Sequence, residues 1–455
     1  MLQWGLAQGM NQPMKHNQKP ASQGVAFVSL GCFKNTVDSE VLAGMLKQRG
    51  MAIVSEYEDP EWLVINTCGF IRDAKEESIE EILSALEKKE KGGINKLAVF
   101  GCLIQRYYKE LQTTFATADI LWGVNDIEEL ADAIASGQPT EYPDRKLFLY
   151  SDKNQRSLFT TSNSSFIKIS EGCNMTCSFC SIPQIRGPFR SRTIPSILKE
   201  AEALKKKGVE ELNLISQNST YFGKDRGQGS QLPALLKEIS LLGFRWLRVL
   251  YLMPEEVTPE ILDGFARPSV LPYFDLPFQH VSARILKKMN RGGSYEKNLR
   301  LLREIRKKFP DAVLRSTFIV GFPGESEDDF KQLLDFAGEA KLERIGAFAF
   351  SPEENTAGFK LPNHKNPQTI EDRKNLLLDV SDRNMKKFNQ GLVGKTLEFL
   401  PLAPWTHDST IGRIWAQAPE VDGHCQMQAK FIEGSPMLSI KISSFQNEML
   451  HGEKS

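Results

Sequence analysis

Residues 171–180 have the sequence EGCNMTCSFC, which places Cys173, Cys177 and Cys180 in one tight C-x₃-C-x₂-C loop after an apolar strand. Three thiolates in such a loop can each bind one iron of a four-iron cubane but cannot reach the fourth iron. An iron without a protein ligand is an open site for a substrate or cofactor, like the open position of a catalytic zinc. The spacing of this loop trio therefore predicts an iron–sulfur cluster that takes part in chemistry.

Zinc and disulfides are the alternatives for these cysteines. A Cys₃ zinc site needs a nearby fourth ligand, and none of the six histidines of the chain is close to the loop in sequence. Closely spaced cysteines in a long chain without an export signal indicate metal binding or catalysis rather than disulfides. The sequence therefore favours an iron–sulfur cluster over both alternatives.

Three further cysteines follow short apolar strands in the first third of the chain. The stretches VAFVSLGC, EWLVINTCG and KLAVFGC carry Cys32, Cys68 and Cys102, each beside a glycine. Helical patterns separate them at the spacing of βαβ units, whose right-handed crossovers bring the carboxyl ends of parallel strands to one sheet edge. Glycine allows the backbone to wrap closely around an inorganic cluster. We therefore predict that this sheet trio binds a second cluster.

Strand and helix patterns alternate through the middle of the chain, and the expected fold class is α/β. A parallel-sheet domain is predicted over 25–150 after a disordered lead-in at 1–24. A partial (β/α)₆ barrel follows over 160–390, with its chemistry at the carboxyl ends of the strands. Short strands separated by Gly, Pro and Asp predict a small antiparallel β-barrel over 391–455. The six barrel strands are predicted at 166–170, 211–217, 244–252, 273–279, 313–322 and 344–350.

The charge balance gives the chain no general attraction to nucleic acid or to an anionic membrane. There are 57 basic and 57 acidic residues, for a net charge of +0. No apolar run approaches the roughly 20 residues that span a bilayer, and the N-terminus lacks the apolar core of a secretory signal. We expect a cytoplasmic monomer with no membrane partner and with nucleic acid not a primary partner.

The loop trio, placed on a β/α barrel, resembles the radical S-adenosylmethionine superfamily. The resemblance implies that the open iron chelates the methionine moiety of the cofactor. It further implies that cofactor cleavage yields a 5′-deoxyadenosyl radical, which abstracts hydrogen from an unactivated carbon. Cofactor contacts are then expected at three strand ends: Ser216, Gln217 and Asn218 at the methionine end, Gln279 and His280 facing the ribose, and Gly321 and Pro323 of FIVGFPGE along the cofactor.

The combination of a cysteine-rich α/β domain, this barrel and a terminal β module is similar to the methylthiotransferases, from about Val25 to the C-terminus. Their terminal module is called TRAM. The resemblance implies two [4Fe-4S] clusters, of which the second supplies or holds the sulfur of the product. S-adenosyl-L-methionine then serves both as methyl donor and as radical source. Cys425, the seventh cysteine, receives no role, and no motif identifies the electron donor or the sulfur source.

Two branches of that family differ in substrate: one modifies an adenosine in transfer RNA, the other the β-carbon of an aspartate in a small-subunit ribosomal protein. The segments SLGCFKNTVDSE (29–40) and SPEENTAG (351–358) resemble the second branch. The transfer-RNA branch usually has Gln and Met in place of Lys34 and Asn35. Phe33 and Asn218 depart from the ribosomal-protein pattern, which has proline and aspartate there, and YLMPEEVT (251–258) follows it only loosely.

The charge of the terminal module gives an argument that is independent of family. Residues 391–455 contain five basic and seven acidic side chains, a net charge of −2. A module that grips RNA needs clustered Lys and Arg, whereas an acidic surface suits a basic protein. We predict aspartate methylthiolation of a ribosomal protein, with transfer-RNA methylthiolation as the alternative. A redox carrier is disfavoured because ferredoxin-like clusters take four protein ligands each.

Overall fold

The computed structural model describes residues 24–56, 58, 60–138, 142, 147–159 and 163–455. All but the last residue of the predicted lead-in at 1–24 lies outside the described residues. In the part of the chain that is described, no helix has both the length and the apolar character needed to cross a membrane.

The first unit is a five-stranded parallel sheet in the order β2-β1-β3-β4-β5, with helices on both faces. Every residue of the third strand, WLVINT, is buried, as expected for a parallel strand covered on both sides. The elements are β1 (Gly24–Ser29), α1 (Phe33–Gln48), β2 (Ala52–Ile53), β3 (Trp62–Thr67), α2 (Arg72–Glu90), β4 (Lys96–Gly101), α3 (Cys102–Thr114), β5 (Ile120–Trp122) and α4 (Ile127–Ser136).

The second unit is a half-barrel whose six parallel strands follow one another in chain order. Its two three-stranded halves meet through a bridge between Leu247 and Val270. This arrangement confirms the predicted partial barrel. The elements are β6 (Ser164–Lys168), β7 (Ser170–Glu171), α5 (Ile182–Arg186), β8 (Arg190–Ser191), α6 (Ile194–Lys206), β9 (Glu211–Ile215), α7 (Leu232–Ser240), β10 (Trp246–Val249), α8 (Pro259–Phe265), β11 (Tyr273–Asp275), α9 (Ala283–Lys288), α10 (Tyr295–Lys308), β12 (Val313–Val320), α11 (Glu327–Glu339), β13 (Arg344–Ala349) and α12 (Pro367–Gln390).

Two of the barrel strands are less than half as long as predicted, and left-handed residues lie beyond their ends. The predicted strands at 244–252 and 273–279 end as regular strands at Val249 and Asp275. Tyr251 and Gln279 follow with φ of 61° and 69°, in the left-handed region that residues other than glycine rarely adopt. Tyr251 limits the first strand, because a left-handed residue ends the extended backbone that a strand requires. In the second, pairing lapses after Asp275 and returns as a single bridge between Gln279 and Phe318.

The third unit is a closed five-stranded barrel in the order β14-β15-β16-β18-β17. Four of its strand pairings are antiparallel, as predicted for this module. The pairing between β16 and β18 is parallel, because the chain runs back along β17 before it forms β18. Cys425 is buried in the core of this barrel. The strands are β14 (Thr396–Thr406), β15 (Ser409–Ile414), β16 (Cys425–Met427), β17 (Leu438–Gln446) and β18 (Met449–Lys454).

Aromatic packing joins the first unit to the half-barrel. Phe33, at the start of α1, stacks on Phe166 of β6 with ring centroids 4.4 Å apart and planes at 16°. Offset stacking of this kind stabilises contacts beyond the burial of area alone. Phe33, one of the two residues that depart from the ribosomal-protein pattern, therefore packs between the two units.

A buried carboxylate joins the half-barrel to the terminal barrel. Glu211 of β9 is fully buried and pairs with Arg248 of β10 at 3.1 Å and with Arg413 of β15. The hydroxyl of Ser164 also donates to it, at 2.7 Å. Burial raises the pKa of Glu211, but the charges of Arg413 and Arg248 outweigh burial and lower this pKa to about 2. The two units are thus held together by an ion pair that requires an ionised carboxylate.

Replacement of Glu211 by Gln should lower the free energy of unfolding by about 3–5 kcal/mol, because it leaves two buried guanidinium groups without their counter-charge. Urea unfolding followed by tryptophan fluorescence measures the effect. The folded pKa lies below the ordinary 4.5, so the stabilisation is complete above pH 4.5 and is lost as pH falls towards 2.

Glu398→Gln is the matched control, since Glu398 forms an exposed ion pair with Arg245 at the same interface. Exposed pairs contribute about 0–1 kcal/mol. Equal losses in the two variants would contradict the role given to Glu211.

Candidate functional site

All six predicted cluster ligands line one cavity of about 480 Å³. The cavity lies where the carboxyl edge of the first sheet faces the carboxyl ends of the half-barrel strands. The loop trio and the sheet trio reach it from two separate folding units. The structure therefore brings together two sets of cysteines that the sequence predicts separately.

The sheet trio is gathered by the loops that follow β1, β3 and β4. Burial raises the pKa of Cys68 to about 12, and the charges of Cys102 and Cys32 add to the effect, so the three thiols are close enough to interact. The side-chain oxygen of Asn35 lies 4.0 Å from the Cys32 sulfur and 3.8 Å from the Cys102 sulfur. The three cysteines thus share one pocket around Asn35.

The glycines beside these cysteines allow the three loops to approach one another. Gly31 has φ of +90°, and a Cβ there would lie 2.7 Å from the Cβ of Cys68. A Cβ on Gly69 would lie 2.7 Å from the carbonyl oxygen of Cys102. Both distances are shorter than real Cβ contacts, so larger residues would push the thiols apart.

The loop trio is equally close-set. Burial raises the pKa of Cys180 to about 12 and that of Cys177 to about 11, with neighbouring thiols contributing. All seven cysteines are free thiols. No group of three His, Cys, Asp or Glu side chains among the described residues converges on a point that could hold one metal ion. Three separate thiols in one loop suit cubane ligands, which each bind a different iron.

A buried four-residue ion network connects the two trios, and the sequence analysis did not find it. It consists of Asp38 of α1 and Lys168, Glu171 and Arg186 of the half-barrel. Lys168 pairs with both carboxylates, and Arg186 pairs with Asp38 at 2.7 Å and with Glu171 at 3.2 Å. Burial raises the pKa of Glu171, but Lys168 and Arg186 outweigh it and hold this pKa well below its ordinary value. Glu171 therefore stays ionised between Lys168 and Arg186.

Arg186 also contacts the sheet trio directly. One of its nitrogens donates to the Cys102 sulfur at 3.3 Å and to the side-chain oxygen of Asn35 at 2.7 Å. Hydrogen bonds from a cation to a ligand sulfur stabilise a thiolate-bound cluster and tune its potential. Arg186 has no motif of its own, because its partner cysteine is 84 positions away.

Arg291 is the corresponding cation beside the loop trio. It is buried, donates to Glu255 at 2.8 Å and to the carbonyl of Pro277 at 3.0 Å, and interacts with Cys177. Glu255 belongs to the segment YLMPEEVT, which only loosely follows the family pattern. The carboxylate of Glu255 orients Arg291, which interacts with Cys177.

The residues predicted to contact S-adenosylmethionine are divided by the structure. Gln217 and Gln279 line the cavity. The amide nitrogen of Gln217 donates to Glu171 at 2.9 Å, while its buried oxygen has no hydrogen-bond partner among the described residues. An unsatisfied buried acceptor at the wall of a cavity fits a polar ligand.

The other five predicted contacts do not line this cavity. Ser216 and Asn218 hydrogen-bond within their own loop, and His280 accepts the backbone N–H of Ser282 at 3.0 Å. Gly321 has φ of +74°, and a Cβ there would lie 2.4 Å from Ile370 of α12. Pro323 is buried after β12.

Asn218, which departs from the family pattern, contacts Glu256 of the loosely matching segment YLMPEEVT. The amide nitrogen of Asn218 donates to the carboxylate of Glu256 at 2.9 Å. Its oxygen accepts the backbone N–H of Tyr221 at 3.2 Å and so caps a short 3₁₀ turn. An aspartate at 218 would set two carboxylates against each other, and asparagine avoids this repulsion.

A second set of ion pairs fastens the first unit to the half-barrel at the cavity wall. The buried carboxylate of Glu353 accepts from Arg106 of α3 at 2.6 Å and from Lys75 of α2 at 2.8 Å. The segment that follows Glu353 also contacts the loop that carries the loop trio, since the backbone N–H of Gly358 donates to the carbonyl of Ser178 at 2.5 Å. We call Lys75, Arg106 and Glu353 the clamp.

Both trios fit iron–sulfur clusters on these observations. Each offers three free thiols and no fourth protein ligand in the described residues, and each has a buried arginine beside it. Aromatic and aliphatic side chains make up most of the remaining wall, and an apolar lining of this kind suits oxygen-sensitive and radical chemistry. The apolar side chains include Phe70, Ile71, Met175, Phe179, Ile182, Leu250, Met253, Ile319 and Phe350.

Comparisons with known proteins match both parts of the chain that carry the cysteine trios. The Radical SAM superfamily matches residues 167–337, and the uncharacterized protein family UPF0004 matches residues 24–123. A curated relative from Clostridioides difficile, "Ribosomal protein uS12 methylthiotransferase RimO", is 37% identical over 435 residues, covering 94% of this chain and 98% of the relative. A relative of the same name from Thermotoga maritima is 42% identical over 405 residues, covering 88% and 92%.

Among solved structures, the radical S-adenosylmethionine methyltransferase TsrM from Kitasatospora setae, with cobalamin and a [4Fe-4S] cluster bound, has the same fold. Its TM-score is 0.54 at 15% sequence identity, with 74% of each chain covered. At this identity the similarity concerns the fold alone.

Single cysteine replacements in either trio should lower the iron content of the reconstituted protein. Cys177→Ala and Cys68→Ala should each lose about half of the bound iron, because each trio holds its own cluster. Iron and acid-labile sulfide assays with the visible spectrum measure this. Cys425→Ala is the control and should keep the full content, since this thiol is buried in the terminal barrel. A trio whose replacement leaves the iron unchanged is not a cluster site.

Proposed function

Because the chain belongs to the family of ribosomal protein uS12 methylthiotransferases, radical S-adenosylmethionine enzymes known as RimO, we propose that it methylthiolates an aspartate β-carbon of ribosomal protein uS12. The observation that carries this proposal is the single cavity lined by both cysteine trios. One trio suits the radical cluster and the other the sulfur-carrying cluster. The reaction needs both at one substrate carbon, and a common cavity provides that.

We assign Cys173, Cys177 and Cys180 to the radical cluster and Cys32, Cys68 and Cys102 to the second cluster. When bound, the first supplies with S-adenosylmethionine a radical that removes hydrogen, and the second supplies sulfur. The chain supports both groups with fixed charges. Arg291 and Arg186 face the two sets of thiolates, and the apolar wall excludes water from the reacting carbon.

Gln217 and Gln279 are the best-placed candidates for cofactor contacts, because they line the cavity and the oxygen of Gln217 lacks a partner. For Ser216, Asn218, His280, Gly321 and Pro323 we propose an indirect role in shaping the loops around the cofactor. We further propose that the enzyme acts in the cytoplasm, as a monomer, with 25–150, 160–390 and a TRAM module at 391–455 as its domains.

Transfer-RNA methylthiolation is the competing function. The curated relatives named above carry the uS12 name over nearly the whole chain. The net charge of −2 in residues 391–455 also gives that module no electrostatic attraction for phosphates. Both points favour a protein substrate.

Reconstituted enzyme, supplied with reductant, sulfide and S-adenosylmethionine, should add a methylthio group to uS12 and not to transfer RNA. The two substrates are offered in parallel, and mass spectrometry of each reports the product. A mass shift on the RNA alone would contradict the proposal, and absence of 5′-deoxyadenosine with either substrate would favour a cluster carrier.

Breaking the clamp should uncouple sulfur insertion from cofactor cleavage. Glu353→Gln leaves Arg106 and Lys75 without their buried counter-charge, so the two units that carry the trios shift relative to each other. We expect the ratio of methylthiolated uS12 to 5′-deoxyadenosine to fall several-fold while the iron content stays unchanged.

Glu354→Gln is the neighbouring control. The side chain of Glu354 is 54% exposed, and its hydrogen bond from Tyr107 can be kept by glutamine. An unchanged ratio in Glu353→Gln would mean that the clamp does not position the trios.

A further inference from the structure

Four cationic side chains line the cavity: Lys34, Arg186, Arg291 and Arg315. The three arginines each have a carboxylate partner. These partners are Asp38 at 2.7 Å for Arg186, Glu255 at 2.8 Å for Arg291, and Asp422 at 3.2 Å for Arg315.

Lys34 differs from these arginines in its surroundings. It is 7% exposed, and none of the ion pairs within 4.0 Å that the described residues form includes its ammonium. Its Nζ instead lies over the ring of Tyr251, 3.5 Å from the centroid. Asp275 interacts with Lys34 only at longer range and is itself paired with Arg315 at 3.4 Å. The ammonium is therefore a buried cation at a cavity wall with no anion of its own.

A buried cation without an anion is unfavourable unless a bound ligand supplies one. Tyr251 offsets part of the cost through its ring. The backbone of Tyr251 has φ of 61°, a left-handed conformation that is costly for a tyrosine. The pair of side chains thus presents an unneutralised positive charge towards the cavity.

We propose that Lys34 is a binding site for a carboxylate, namely the side-chain carboxylate of the substrate aspartate. The inference rests on the proposed function and extends it to a recognition residue. The carboxylate carbon is bonded directly to the β-carbon. An ion pair with Lys34 therefore holds the β-carbon one bond from the paired carboxylate group. Lys34 itself is two residues along the chain from Cys32 of the sheet trio. The site selects an acidic side chain over an amide and over a nucleobase, which lacks the charge.

A different role for Lys34 would be to offset the charge of the sheet trio through its neighbour Cys32. That role would make the lysine matter for the second cluster and not for the substrate. Arg186 already donates to this trio at 3.3 Å. The experiment below separates the two roles.

The test measures binding of uS12 to cluster-loaded enzyme with S-adenosylmethionine and without reductant, by isothermal titration calorimetry. The ligands are uS12 itself and uS12 with asparagine in place of the aspartate that acquires the methylthio group. Wild-type enzyme should prefer the aspartate form by about 30-fold or more, the scale of a desolvated charge pair. Lys34→Met should abolish this preference by weakening only the aspartate form, and Lys34→Arg should retain most of it.

Lys47→Met is the matched control, since Lys47 lies on the exposed end of the same helix, α1. It should keep the full preference. Iron content and the electron paramagnetic resonance signal of each variant report on the second cluster and should match wild type.

Three results would overturn the inference: no preference for the aspartate form in wild type, a full preference in Lys34→Met, or an altered second cluster with intact binding. If Lys34→Met does not fold, Lys34→Gln is measured in its place. Failure of the proposed function is distinct, because wild-type enzyme would then add no methylthio group to uS12 under reducing conditions.

Discussion

The buried ion network of Asp38, Lys168, Glu171 and Arg186 determines how the two cysteine trios face each other. Two cations and two carboxylates leave water together, at a cost of several kcal/mol for each ion. The attraction between the charges offsets that cost only when every charge has its partner in good geometry. Asp38 belongs to the first unit and the other three to the half-barrel, so the network is complete in only one relative placement of the two units. Each trio adjoins the network, through Cys102 at Arg186 and through Cys173 two positions after Glu171.

The terminal barrel also contributes to the cavity. Val421 lies in the cavity wall, and the neighbouring Asp422 accepts a hydrogen bond from Tyr273 at 2.5 Å and pairs with Arg315 at 3.2 Å. Arg315 is thereby neutralised by a residue more than 100 positions away. The cavity is built by all three units, and its balance of charges depends on each. Lys34 keeps its charge available because, among the described residues, no unit places a carboxylate within ion-pair distance of its ammonium.

Departures from the family pattern are compensated locally. Phe33 stacks on Phe166 where a proline would give no ring contact of that kind. Asn218 donates to Glu256, and Glu255 holds Arg291 against the loop trio. In each case the change in one residue is matched by the chemistry of the residue it touches. Departures of this sort alter how the cavity is supported and leave the six cysteines in place.

The sequence by itself determined the α/β class, the six barrel strands and the loop trio. Periodicity is a local property, and an eight-residue span of backbone confines three thiols to one loop whatever the rest of the chain does. It also predicted the sheet trio, because the right-handed βαβ crossover converts a regular spacing into a common sheet edge. Only the tertiary structure decided which charges surround the trios. Arg186 meets Cys102 and Asp38 across 84 and 148 positions, and no local pattern records such pairings. The tertiary structure also decided that Gln217 and Gln279 line the cavity while their neighbours do not. Side-chain direction at a strand end depends on local backbone geometry, here the left-handed Gln279 and the hydrogen bonds of the loop beside Gln217. Burial of charge is a property of packed surfaces, and the sequence shows each charge without its partner.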